Sequence, residues 1–197
     1  MKTYQITSLP LFVQYLNSNK NTAMIINKMK TGDFNSLFYT FLAWLCCNNL
    51  GRLDKSTINQ IIQSCESWHD GVIAVLSKLS RTIDTIHIDE ELPKETKKIY
   101  DFAFNAELQI LAQSQAMRTA KQKTVRQNIS DFCNNLTKFI KINNIQLHHQ
   151  ERHEILELLA ACFGPENLIR IEQQLTATLH KAKIKITSAE QLTLADL

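Results

Sequence analysis

The most informative pattern in the chain is the stretch 34–47, which is apolar on nearly every helical face. Asp33 precedes it as the predicted cap, and Gly51 follows shortly after it. A helix that is hydrophobic all round cannot lie on a surface, because every face must be covered by another element. The pattern therefore predicts a bundle around a buried central helix at 34–50, with Gly51 in the left-handed position that ends it.

Apolar residues recur at three- and four-residue spacing on both sides of this stretch, which is typical of amphipathic helices. Ser8 and Asn21 are predicted to cap two short helices before it, and Asp54 a fourth helix after it. The next predicted stripe consists of Val72, Val75, Leu76, Leu79 and Ile83. The longest helix is expected to run from Pro93 to about residue 120. Its predicted buried face consists of Ile99, Phe102, Ala103, Ala106 and Ile110.

Three further helical segments are predicted in the last third of the chain, at 130–142, 149–163 and 165–183. A polar, basic stretch before them is the best candidate for a boundary. The predicted organisation is a helical bundle domain at 1–117, a basic connection at 118–127, a three-helix C-terminal extension at 128–183 and a partly ordered tail at 184–197.

Composition supports an all-α fold. The 197 residues include only four glycines and three prolines, whereas turn-rich β architectures need more of both. The five cysteines form no Cys-x-x-Cys pair, which indicates small buried side chains and a reducing compartment. The longest apolar run is about ten residues, short of the roughly 20 that span a bilayer. Without a recognisable secretory signal, the chain is expected to be cytoplasmic and not inserted in a membrane.

The N-terminal part, over about residues 8–117, resembles a proteobacterial family of small conserved helical proteins of unknown function. The residues that carry this resemblance are Leu11-Phe12, Tyr15-Leu16, Gly32-Asp33, Ala43-Trp44-Leu45, Trp68, Val72-Ile73, Leu76, Leu79 and Ala106-Glu107-Leu108. The family has no established activity, so the resemblance implies a helical fold and no particular chemistry. The helices after residue 120 lie outside it.

One histidine-rich helix start is the weak candidate for a metal site. On a helix, His149, His153 and Glu157 lie at i, i+4 and i+8, so they share a face that suits Zn²⁺. No fourth ligand is identifiable, and a solvated helix start with acidic residues in its first turn explains the same pattern. The sequence therefore predicts neither a bound metal nor a cofactor.

A basic segment is the candidate for nucleic-acid contact. Residues 118–185 carry eleven basic and six acidic residues, whereas residues 1–117 are neutral. Phosphate contacts would draw on Arg118, Lys121, Lys123 and Arg126. No exposed aromatic residue is interleaved with them for base stacking, and a solvated linker explains the same residues. Nucleic acid is therefore a disfavoured partner, and a regulator that contacts it is the alternative function.

The C-terminal helices offer the apolar stripes that best suit a protein partner, because helical proteins often bind partner helices along such faces. The predicted partner-binding residues are Leu156, Leu159, Phe163, Leu168, Ile171 and Leu175. Docking of these stripes on the N-terminal bundle is the other interpretation.

The leading functional prediction is a non-enzymatic interaction or adaptor subunit of a cytosolic complex. It rests on surplus apolar helix faces and on the absence of a recognisable nucleophile–base pair or phosphate-binding loop in the sequence. A secretion-associated adaptor or a chaperone-like subunit is one concrete form of this prediction. A metal-dependent enzyme ranks third, after the nucleic-acid regulator.

Overall fold

The computed structural model describes residues 8–85, 91–115 and 120–187 and shows an all-α protein. The helices are α1 Leu9–Asn17, α2 Ala23–Lys30, α3 Phe34–Cys47, α4 Lys55–Trp68, α5 Ala74–Thr85, α6 Glu91–Gln113, α7 Val125–Ile142, α8 His149–Phe163 and α9 Leu168–Lys181. Short 3₁₀ turns at Lys20–Thr22 and Pro165–Asn167 precede α2 and α9. Two-residue strands, β1 Leu147–His148 and β2 Ile186–Thr187, pair in parallel. The predicted fold class is confirmed.

Helix α3 is the buried centre of the molecule, as its apolar pattern predicts. Every side chain from Ser36 to Cys47 is buried, because α1, α2, α7 and α8 pack around it. The carboxylate of Asp33 accepts hydrogen bonds from the backbone amides of Asn35 and Ser36 and so caps the helix. Although α3 is apolar, no helix within the described ranges is both long enough and apolar enough to span a membrane.

The end of α3 differs from its prediction. Asn49, and not Gly51, is the residue that adopts the left-handed conformation directly after the helix, with φ at +58°. The amide of Leu50 then donates to the carbonyl of Leu45 at 2.9 Å, which closes a Schellman-type cap. Asparagine tolerates this conformation better than other non-glycine residues do, so Gly51, with φ at +81°, belongs to the loop that follows.

The C-terminal helices complete the same core. Phe139 of α7 stacks on Phe38 of α3 with ring centroids 4.1 Å apart and planes inclined by 10°, and the Tyr39 ring meets Phe139 edge-on. One hydrophobic cluster contains buried residues of α1 to α4 and α6 to α9. The predicted extension at 128–183 therefore shares one core with the predicted bundle at 1–117.

Polar contacts tie α7 to the loop after α3. The fully buried side chain of Asn135 accepts from the amide of Leu53 at 2.8 Å and donates to the carbonyl of Gly51 at 3.1 Å. Arg52 and Lys123 both form ion pairs with Asp131. The Asn135 contacts supply hydrogen-bond partners to backbone groups that the irregular loop cannot pair internally.

Helices α4 and α5 form one continuous rod. Between them, residues His69–Ile73 make a π-helical turn, so Asp70 and Gly71 do not break the helix. A π turn inserts an extra residue into the helical repeat and is often found at functional sites. In this chain it sets which faces of α4 and α5 are turned toward α6.

Helix α6 buries a different face from the predicted one. The buried residues are Thr96, Tyr100, Ala103, Phe104, Glu107, Leu108 and Leu111. Of the predicted inward residues, Ala103 is buried and Ala106 and Ile110 are half-buried, whereas Ile99 and Phe102 are exposed. The prediction of those two positions is wrong because α6 carries two apolar stripes, and the polar partners of Tyr100 and Glu107 select the other one.

Two boundaries also shift. Helix α7 begins at Val125, five residues before the predicted start, because Thr124 and Gln127 form a capping box. The residues predicted as a tail from 184 onward include β2, which pairs with β1. The remainder of the predicted tail, from 188 onward, lies outside the described residues.

Truncation of one buried and one exposed phenylalanine tests this account of the core. Phe139→Ala is expected to lower the free energy of unfolding by about 3–5 kcal/mol, because it leaves a cavity against α3. Phe102→Ala, with its side chain 78% exposed, is expected to change it by less than about 0.5 kcal/mol. Equilibrium urea denaturation measures both values, and similar losses in the two variants would contradict the packing described.

Candidate functional site

Exposed apolar side chains are concentrated on the hairpin of α5 and α6. Nine large apolar residues are exposed within the described ranges, and five of them lie on these two helices. The five are Val75, Leu79, Leu92, Ile99 and Phe102. Together with the half-buried Trp68, Val72 and Leu76, they define the α5–α6 apolar surface. Exposed apolar side chains that cluster in this way mark interaction sites more often than single ones do.

The two stripes of this surface adjoin each other. Helices α5 and α6 pack together and are joined by a short connection, which makes them antiparallel. The His69–Glu107 contact sets their register. Val75 lies six residues after His69 and Phe102 five residues before Glu107, so an antiparallel pair brings them to similar levels. The indole Nε1 of Trp68 donates to the carbonyl of Ala103 at 3.3 Å, so the stripe from Trp68 to Leu79 borders the stripe from Leu92 to Ala103.

The charge beside the surface is nearly balanced. Residues 75–102 carry five basic and six acidic residues. Lys98 forms an ion pair with Glu95 at 2.6 Å beside Ile99. Charge therefore favours neither an acidic nor a basic partner at this surface.

A buried polar contact lies beneath this surface. His69 Nδ1 lies 2.8 Å from Glu107 Oε1, and His69 Nε2 lies 3.0 Å from the carbonyl oxygen of Gly32. Glu107 is 0% exposed and His69 only 4%. We call these three groups the His69 clasp. It joins the α4–α5 rod, α6 and the turn between α2 and α3.

The turn at the clasp is built for this contact. Gly32 adopts φ +83°, a conformation that side-chain-bearing residues rarely adopt. The neighbouring carbonyl of Thr31 accepts hydrogen bonds from Ser77 at 2.9 Å and from Arg81 at 2.8 Å. Tyr100 of α6 donates to the carbonyl of Met29 at 3.4 Å. Side chains of α5 thus supply donors to the Thr31 carbonyl, and Tyr100 of α6 adds a second donor to the Met29 carbonyl, which also accepts from the Gly32 amide.

The geometry of the clasp requires two protons. A carbonyl can only accept, so Nε2 must carry a hydrogen that it donates to Gly32. The 2.8 Å contact between Nδ1 and Oε1 needs a second proton, held by either atom, because otherwise two lone pairs would face each other. Within the described residues, the buried Oε2 atom of Glu107 has no hydrogen-bond donor. An unpaired charged oxygen is costly to bury, which favours retention of the shared proton.

The electrostatics of His69 agree with this geometry. Burial by itself lowers the pKa of His69, because it disfavours the charged form. The hydrogen bond and charge of Glu107, the Gly32 carbonyl and the charge of Asp70 raise it by more, so the pKa of His69 lies above its ordinary 6.5. The pair thus keeps its second proton to a higher pH than an isolated histidine would.

The buried thiols are not activated. Burial raises the pKa of Cys65 to about 11 and that of Cys133 to about 12, and it raises the pKa of Cys46 well above 9. A thiol is nucleophilic as its thiolate, so these three cysteines remain protonated near neutral pH. They pack as small apolar side chains.

The six predicted partner-binding residues lie inside the protein. Leu156, Leu159, Phe163, Ile171 and Leu175 are buried, and Leu168 is half-buried against the core. Helix α8 packs on α3 and α9, and α7 packs on α3 and α9. The protein's own helices cover these stripes, so the stripes offer no surface to a partner. This corrects the predicted location of the partner site.

The candidate metal ligands are not gathered into a site. His149 and His153 are exposed and Glu157 is half-buried. Within the described ranges, no group of three or more histidine, cysteine, aspartate or glutamate side chains is arranged to hold a metal ion. The neighbouring His148 caps α8 and contacts the hydroxyl of Thr187 in β2 through Nδ1 at 3.0 Å.

The basic residues predicted for nucleic-acid contact differ in their surroundings. Lys121 and Arg126 are exposed. Lys123 is half-buried and forms an ion pair with Asp131 that holds the loop against α7. Arg118 lies outside the described residues. At least one of the four cations therefore has a structural partner.

Sequence reasoning missed the two features that make up this site. The apolar spacing of α6 predicts that Ile99 and Phe102 are in the core, and the sequence does not pair His69 with Glu107. The signal for the exposed positions of Ile99 and Phe102 is the excess of apolar residues on α6. These residues form two apolar stripes, whereas one stripe is enough to bury the helix against the core. No local signal joins His69 to Glu107, because they lie 38 residues apart.

Comparisons with family models, curated proteins and solved structures find no match. The resemblance to a proteobacterial family therefore stays a prediction, and the functional argument rests on the site itself.

The clasp predicts a pH-dependent stability. Its contribution to the free energy of unfolding should be fully present below the unfolded-state pKa of histidine, about 6.5, and should be lost as pH rises through the higher folded-state pKa. We expect a loss of about 1.5–3 kcal/mol, the usual value of a hydrogen bond to a charged group. Urea denaturation at a series of pH values measures it.

Glu107→Gln is expected to remove this pH dependence. Its amide NH₂ donates to a neutral Nδ1 while Nε2–H still donates to Gly32, so the clasp no longer needs a second titrating proton. His153→Gln removes an exposed histidine and should leave the wild-type profile unchanged. Equal pH profiles for wild type and Glu107→Gln would contradict the assignment.

Proposed function

We propose that this protein is a non-enzymatic interaction subunit that binds an amphipathic helix of another protein on the α5–α6 apolar surface. The observation that carries the proposal is the concentration of exposed Val75, Leu79, Leu92, Ile99 and Phe102 on two adjoining helices. Elsewhere in the described ranges, exposed apolar side chains are fewer and lie on three helices, with Leu11 and Tyr15 on α1, Met24 on α2 and Ile169 on α9.

The shape of the surface supports a helical partner. Two antiparallel helices leave a groove between them into which the ridge of a third helix can pack. The stripes lie on both sides of this groove, from Trp68 to Leu79 on one side and from Leu92 to Ala103 on the other. A partner helix with apolar residues at i, i+3, i+4 and i+7 would cover both.

A reducing, cytoplasmic setting is part of this proposal, because free cysteines that pack as small side chains are usual there. An adaptor that serves secretion or a chaperone-like subunit fits the same surface.

Substitution of the surface tests the proposal. The tagged full-length protein is purified from the cells that produce it, a stoichiometric partner is identified, and its affinity is measured by calorimetry with both proteins purified. Phe102→Asp and Ile99→Asp are expected to weaken binding at least about 100-fold, because each buries a charge at the centre of an apolar contact. Circular dichroism should show an unchanged fold, since both side chains are exposed.

The matched control is Ile169→Asp, which places the same charge at an isolated position on α9 that is 74% exposed. It should bind like the wild type. A partner that binds Phe102→Asp as tightly as the wild type, a protein that purifies alone, or a nuclease-sensitive association would each contradict the proposal. If this chain forms a dimer that Phe102→Asp dissociates, the occupant of the surface is a second copy of the chain and not a different protein.

A further inference from the structure

The His69 clasp lies where the two helices of the α5–α6 apolar surface are held together. His69 is adjacent to Trp68 and three residues before Val72, both of which belong to the surface. On α6, Glu107 lies five residues from Phe102, which is about 7.5 Å along a helix axis. A change in the clasp therefore acts within two helical turns of the surface.

Few polar contacts join α6 to the rod at this level. Among the described residues they are the Nδ1–Oε1 contact and the hydrogen bond from Trp68 to the Ala103 carbonyl. The turn between α2 and α3 is held separately, because Ser77, Arg81 and Tyr100 also bind its carbonyls. Loss of the Nδ1–Oε1 contact therefore affects chiefly the position of α6 against the rod.

We propose that the His69 clasp makes binding at the α5–α6 apolar surface pH-dependent. The surface is held in its binding form while the clasp keeps its two protons, and it loosens when the proton between Nδ1 and Oε1 is lost. The proposal rests on the proposed function of this surface. Loss of that proton leaves a neutral imidazole, with its Nδ1 lone pair facing a buried carboxylate. This arrangement is repulsive, so α6 moves away from the rod at its Phe102–Glu107 segment.

Among the titratable groups around the clasp, the His69–Glu107 pair is the one that responds to pH. On its own rod, Cys65 and Asp70 lie nearby, and Arg81 of α5 lies on the turn. On α6, Tyr100 lies near Glu107. Burial raises the pKa of Cys65 to about 11 and raises that of Tyr100 above its ordinary value, and arginine stays charged throughout. The acid Asp70 adds its charge in favour of a protonated His69.

Hydrogen exchange followed by mass spectrometry tests the clasp on the full chain without any ligand. Protection of peptides covering 65–77 and 99–108 is compared at about pH 6 and about pH 8.5, after correction for the intrinsic exchange rates. Protection in the wild type should fall about tenfold at the higher pH, whereas Glu107→Gln should keep it. Equal behaviour of the two proteins, or no fall in the wild type, would overturn the inference.

Two further variants separate this inference from the proposed function. Phe102→Asp should show the wild-type exchange profile, because Phe102 takes no part in the clasp, while it loses the partner at both pH values. Binding of the purified partner should weaken at pH 8.5 in the wild type and persist in Glu107→Gln. If exchange changes but partner binding does not, the pH regulation is wrong and the proposed function stands. If Phe102→Asp still binds the partner, the proposed function fails whatever the exchange result.

Discussion

The complete burial of α3 is the constraint on which the rest of the structure depends. A helix with apolar side chains on every face needs neighbours on every face, and α1, α2, α7 and α8 provide them. The last two come from beyond the predicted boundary at 118–127. The stacked rings of Phe38 and Phe139 show why the C-terminal helices cannot be an appendage, since without them one side of α3 would face water.

Burial of α3 also fixes the polar contacts at its two ends. The chain must turn sharply before and after it, and turns expose backbone groups that need partners. At the end of α3, the side chain of Asn135 in α7 accepts a hydrogen bond from the Leu53 amide and donates one to the Gly51 carbonyl. At its start, the backbone carbonyls of Gly32, Thr31 and Met29 accept hydrogen bonds from the side chains of His69, Ser77, Arg81 and Tyr100. The same side chains that complete these turns position α5 and α6, so the exposed surface is coupled to the core through buried hydrogen bonds.

Helix α6 illustrates where a hydrophobic pattern loses its predictive power. Ile99 and Phe102 repeat with Ala103 and Ala106 at helical spacing, and Tyr100 and Phe104 repeat with Leu108 and Leu111 in the same way. The free energy gained by burial does not by itself favour one of two apolar faces of similar area over the other. The choice follows from polar chemistry, because Tyr100 reaches the Met29 carbonyl and Glu107 reaches His69 only when the second face is inside. The stripe that is left outside becomes the candidate binding surface.

The sequence by itself determined the all-α class, the buried central helix and its Asp33 cap, and the bounds of α8, because these follow from local periodicity and capping chemistry. It also predicted an apolar interaction face on α8 and α9, but the protein's own helices cover the residues named for it. Only the tertiary structure decided which apolar stripes are covered, where Asn49 ends α3, and that His69 and Glu107 meet. Those outcomes depend on contacts between residues far apart in the chain, and no local pattern encodes which of several similar apolar faces finds a partner within the fold.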